Sequence, residues 1–93
     1  MAQQNTRRGA IMNGTASGSQ LQNWGDAVTI NGGNGGDEIY NEGAGVFINA
    51  GTGNDSIYNN GSNVLIMVAG GNNFINNQRG SGSTVLGGSG RDT

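Results

Sequence analysis

A chain of 93 residues with 20 glycines, no proline and 32% apolar residues is long enough for one small domain but poor in material for a conventional core, and by composition it leans towards disorder. Six acidic residues against four arginines give a net charge of −2, with no basic stripe for nucleic acid. There is no Cys and no His, which excludes disulfides and thiolate metal sites and removes the commonest zinc ligand and general base.

Residues 1–9, "MAQQNTRRG", read as an N-terminal arm or polar cap carrying Arg7 and Arg8. They lack the apolar stretch of a secretory signal, and no later run is long enough to cross a membrane. Residues 10–93 read as one repeat domain with a period of 18. "GTASGSQLQ" (14–22) opens it, followed by the turn "NWGDAV" and the strand "VTIN". Next come "GGNGGDEIY" (32–40), the turn "NEGAGV" and the strand "VFIN". "AGTGNDSIY" (50–58), "NNGSNV" and "VLIM" repeat the pattern, and "VAGGNNFIN" (68–76) begins it again. One extra residue near "RGSGST" puts Leu86 and Asp92 19 positions beyond their counterparts, and "GGSGRDT" (87–93) closes the chain.

The columns of this layout define a fold. Asn5, Asn23, Asn41, Asn59 and Asn77 share one, Leu21, Ile39, Ile57 and Ile75 another, and Val28, Val46 and Val64 a third. Met12, Ile30, Ile48 and Ile66 make a fourth. Low-complexity sequence would not keep Ile and Val in phase. The expected fold is all-β: a parallel β-roll, or β-solenoid, of about five coils with two short strands each. "EIYN" and "SIYN" form one strand of a coil, and the Val-x-Ile segments form the other, with alternate side chains turned inward. At an inter-strand spacing of about 4.8 Å, five coils make a rod of roughly 24 Å. The Asn column suits turn-closing amides stacked along the rod. Tyr40 and Tyr58 fall on the outer face between Gln22 and Asn76, as a packing ladder.

The glycine turns carry the candidate chemistry. Residues 32–40 match G-G-x-G-x-D-x-U-x, with U a large apolar residue. Residues 50–58 differ by Ala50, residues 68–76 have Asn73 in place of the acid, and residues 14–22 have none. A phosphate cradle is excluded, since no Lys and no helix follow the loop. No catalytic residues are expected, because Asp37 and Glu38 point to opposite faces of a strand and no partner base exists.

The motif resembles the calcium-binding β-rolls of the repeats-in-toxin (RTX) family. The resemblance implies calcium held between successive turns by Asp carboxylates and backbone carbonyls, which suits a hard cation with 6–8 oxygen ligands. Carried onto this chain, it implies Asp37 and Asp55 as ligands, with carbonyls at Gly33, Gly35, Gly51 and Gly53. Asn73 and Asp92 are weaker candidates. Calcium is expected on one side only, because "NWGDAV", "NEGAGV" and "NNGSNV" lack the acidic motif.

The functional expectation is a non-enzymatic, calcium-binding structural module. The resemblance implies an extracellular location, reached without an N-terminal signal peptide. Open solenoid ends make a homo-oligomer, assembled end to end into filaments or layers, the expected partner state. Two alternatives stay open: a metal-free solenoid filament subunit, and an ice-binding or adhesin module suggested by "GTGND" at 51–55.

Overall fold

A computed structural model describes residues 2–14, 18–77 and 82–87. They form ten short strands and no helix: β1 (Ala2–Asn5), β2 (Ile11–Asn13), β3 (Gln20–Asn23), β4 (Thr29–Asn31), β5 (Glu38–Asn41), β6 (Phe47–Gly51), β7 (Ser56–Asn59), β8 (Leu65–Val68), β9 (Phe74–Asn76) and β10 (Thr84–Leu86). The strands build two parallel sheets, β1-β3-β5-β7-β9 and β10-β8-β6-β4-β2. The chain therefore crosses from one sheet to the other at every turn, which makes a β-solenoid.

The register follows the sequence columns. Leu21 pairs Ile39 and Ile39 pairs Ile57, with Ile30, Ile48 and Ile66 in line on the other sheet. The extra residue before β10 is visible in the pairing of Thr84 with Leu65, 19 positions apart. Ala2–Asn5, within the segment expected as an arm or cap, forms β1 and pairs with β3. The Val-x-Ile strands start one residue later than expected. Val28, Val46 and Val64 sit just ahead of β4, β6 and β8, yet all three are buried.

The core is a seam one side chain thick. Leu21, Ile30, Ile39, Ile48, Ile57 and Ile66 are fully enclosed, flanked by the three valines, Met12, Ala50 and Val68. Burying each large aliphatic side chain contributes about 1.5–3 kcal/mol. Backbone pairing and polar ladders supply the remaining order. Asn23, Asn41 and Asn59 are buried, and each donates to the carbonyl two residues on and to the Asn 18 positions later. Each also accepts from an amide two residues on, at Gly25, Gly43 and Gly61. The column thus closes one row of turns and ties the coils together. Tyr40 and Tyr58 stack outside, with ring centroids 4.7 Å apart, and Phe74 meets Tyr58 at 5.8 Å.

Candidate metal centre

The turns at residues 32–37, 50–55 and 68–73 lie above one another at one edge of the roll. Their glycines take the left-handed conformation that the loop requires: φ is 87° at Gly33 and 90° at Gly35, and 80° and 99° at Gly51 and Gly53. The Gly33 and Gly35 carbonyls face the backbone of Gly51 and Gly53 in the next turn, so a Cβ at either of the latter would strike a carbonyl. The structure thus brings together four of the carbonyl-bearing residues expected around a cation.

The acids turn inward. Asp37 and Asp55 are 2% and 1% exposed. Their Oδ1 atoms form a second ladder: Asp37 accepts the Ser19 amide at 2.9 Å, and Asp55 accepts the Asp37 amide at 2.9 Å. Asn73 continues it by accepting the Asp55 amide at 2.8 Å. Each carboxylate therefore caps the backbone of the preceding coil with one oxygen. The other, Oδ2, is buried without a hydrogen-bond partner in both Asp37 and Asp55.

Such burial is unfavourable for a charge. Desolvation raises the Asp37 carboxyl above its ordinary value of 3.8, against the opposing effect of the Ser19 hydrogen bond. Asp55 is pushed up to about 7, again chiefly by desolvation, with the Asp37 amide opposing and the Asp37 charge adding to the rise. Two buried carboxyls one coil step apart, each with a spare oxygen, must bind protons, bind a cation or strain the fold.

Gly32 packs closely against the acid of its own turn and the backbone of the next. A Cβ built on Gly32 would lie 2.5 Å from Asp37 Oδ2 and 2.6 Å from the Ala50 carbonyl. Glycine is therefore needed at this position, since any side chain would strike both oxygens. Eighteen residues on, Ala50 adds a methyl, and 18 further Val68 adds a branched side chain, both buried with the core. The inner wall therefore fills as the acid is lost at Asn73. The Asn73 amide donates to the Gly70 carbonyl at 3.1 Å, so the carbonyl is engaged and no carboxylate replaces it. Asp92 lies outside the described residues. Among those described, no cluster of three or more His, Cys, Asp or Glu exists, so most of any calcium shell would be backbone carbonyls and water.

The acids and glycines named from the sequence lie together at this edge, beside two neighbours that the sequence reading did not name. Ser19 is joined to the acidic ladder through its amide, which no side-chain motif reveals. The Ala50 carbonyl was overlooked because Ala50 read only as a departure from the motif; its 18-residue offset from Gly32 was the available signal. Compared with known proteins, the chain matches no family model, no curated protein and no solved structure.

Proposed function

We propose that this chain is a non-enzymatic structural β-roll stabilised by calcium on one edge, working outside the cell and associating with copies of itself through its end coils. The observation that carries the calcium reading is the pair of buried, unpartnered Oδ2 atoms of Asp37 and Asp55, one coil step apart. A divalent cation between the turns would offset the charge that burial penalises and draw on the Gly33, Gly35 and Gly53 carbonyls, the Gly51 carbonyl already accepting the Ala69 amide. Extracellular calcium modules bind in the range of about 10⁻⁴–10⁻³ M, which fits a site with only two carboxylates. The RTX-like turn sequence supports the same reading. Isothermal titration with calcium, paired with thermal melts in calcium and in chelator, tests it. The expected result is saturable binding of about one ion with a higher melting temperature. Identical melts in the two conditions would remove calcium from the function.

A metal-free roll is the second reading, and one observation favours it. Asn73 performs the same capping as Asp37 and Asp55 without any charge, so the ladder itself works without metal. Under this reading burial favours the protonated form of both acids, and Asp55, pushed up to about 7, takes up its proton as pH falls through neutrality.

A further inference from the structure

The edge strands of the roll are β1 and β2 at one end and β9 and β10 at the other. We propose that the two ends are complementary to each other rather than to themselves, so that copies of this chain stack head to tail as one continuous solenoid. This rests on the proposed reading of the chain as a self-associating module, and adds the polarity and register of the contact.

The backbone sets the first requirement. Successive residues of a strand aim their N–H and C=O groups alternately to either side. The Trp24 amide donates to the Asn5 carbonyl, so Asn5 faces inward and Gln4 outward. Phe74 donates to the Asp55 carbonyl, so Ile75 faces outward at the opposite end. By the same alternation Thr29 to Ala10 leaves Ile11 and Asn13 facing out, and Thr84 to Val64 leaves Val85 facing out. Continuing the register of every interior pair sets Ile75 against Gln3 of the next copy, and Val85 against Met12 of the next copy. Both strands of one end then meet both strands of the other, parallel and in register.

The polar ladder sets the direction. Every link runs from Nδ2 of one Asn to Oδ1 of the Asn 18 residues later, from Asn5 through to Asn77. Asn77 Oδ1 receives the Asn59 amide, and no described residue receives the amide of Asn77. At the other end Asn5 Oδ1 accepts only the Arg7 amide, where Asn23 Oδ1 accepts two donors. A head-to-tail stack lets Asn77 donate to Asn5 of the next copy and extends the ladder unbroken. Two like ends would oppose amide to amide or carbonyl to carbonyl.

A further mark lies at the Asn13 carbonyl. In later coils the matching carbonyls of Asn31 and Asn49 accept amides from the coil before, at Gly14 and Gly32. At the first coil described the Gln3 side chain donates to this carbonyl instead, at 2.7 Å. In the stack the amide of Gly87 falls at that place. The last layer has the apolar counterpart: Val85 is 40% exposed and Ile75 only partly buried, whereas their column mates Ile66 and Ile57 are fully buried.

The area decides how tight the contact is. The molecule measures 30 × 27 × 15 Å. Four steps along the axis need about 19 Å, so the 15 Å dimension belongs to the cross-section. Each end face is then roughly 400 Å², and a contact buries about 800 Å² in total, below the ~1,200 Å² of stable complexes. Assembly is therefore reversible and concentration-dependent, and since the stack continues the solenoid along its own axis it stays open.

Sedimentation velocity over a concentration series in calcium, on the 93-residue chain and two end-blocked variants, tests this. Val85→Lys blocks the last end, and Gln4→Pro removes an outward amide at the first. The parent should form a growing series of oligomers. Each variant alone should stay monomeric, and an equimolar mixture should stop at dimers, which also shows that both variants keep a competent fold. A single variant that dimerises by itself refutes the polarity while leaving self-association intact. A parent that stays monomeric at every concentration refutes association itself. If circular dichroism shows either variant unfolded, Val85→Glu and Ala2→Pro take their places.

Discussion

Asp55→Asn separates the cost of the buried acid from its use. The Asp55 carboxyl rises from 3.8 to about 7 in the folded chain. A raised acid contributes stability fully below its unfolded pKa, and loses it as pH climbs through the folded value. Between pH 3.8 and about 7, metal-free protein should therefore lose roughly 4 kcal/mol, taking 1.36 kcal/mol per pH unit. Asn at this position keeps the acceptor for the Asp37 amide, as Asn73 does for Asp55. Its own NH2 must find a carbonyl, and Asn73 finds Gly70 three residues back; failure there costs about 1–3 kcal/mol. The net gain at pH 8 in chelator is then roughly 1–4 kcal/mol, at about 4–8 °C of melting temperature per kcal/mol. Thermal melts by circular dichroism at pH 8 and pH 4, with and without calcium, give the comparison. The variant should melt higher than the parent in chelator at pH 8, lose that advantage at pH 4, and gain nothing from calcium. A variant that melts lower than the parent in chelator at both pH values would show that the carboxylate is not strained, and the argument for a cation would go with it.

Three further outcomes follow from the turns. Ala27 holds φ at 55° without being glycine, so Ala27→Gly should stabilise the chain by about 1 kcal/mol, read as a higher urea midpoint. Gly43→Ala would drive a Cβ into the Gly25 carbonyl, whereas a Cβ on Gly45 meets nothing within 4 Å. The first should abolish the cooperative urea transition, and Gly45→Ala, at φ 66°, should lose only about 1–2 kcal/mol. Asn41→Ala strips the donors from Asn59 and Gly43 and leaves the Gly43 amide unpaired inside the roll. It should cost about 3 kcal/mol or more, seen in the same melts.

Most of the fold was legible because each coil repeats one cross-section. Once Leu21, Ile39 and Ile57 fell into one column, parallel pairing at an 18-residue step was the arrangement that put all three inside, and the structure pairs them so. The Asn column was legible as structure for the same reason. What the sequence hid was backbone. Residues 1–9 read as an arm or cap because the 18-residue register holds only from about Ala10, and within them Ala2–Asn5 forms β1 by main-chain pairing that no side chain advertises. The inward turn of the acids was equally hidden, since a motif places Asp37 in a loop without saying that its Oδ1 caps the Ser19 amide.

The two ladders show how the acidic edge and the amide edge differ. At the Asn edge every buried polar atom described has a neutral partner, and the row is stable whatever the solution contains. At the Asp edge the same capping is performed by groups with one oxygen too many. Asn would cap those turns as well, and the chain uses it at Asn73. A carboxylate buried at Asp37 and Asp55 is therefore not explained by capping. It makes the stability of one edge depend on what the solution supplies, a proton or a cation, while the other edge holds the coils in register. The inner wall supports the same division. Gly32 is closed in by Asp37 Oδ2 and the Ala50 carbonyl, whereas the same column admits a methyl at Ala50 and a branched side chain at Val68 as the charge disappears. Gly32→Ala should then lower the melting temperature with and without calcium, because its Cβ meets the Ala50 carbonyl as well as Asp37 Oδ2.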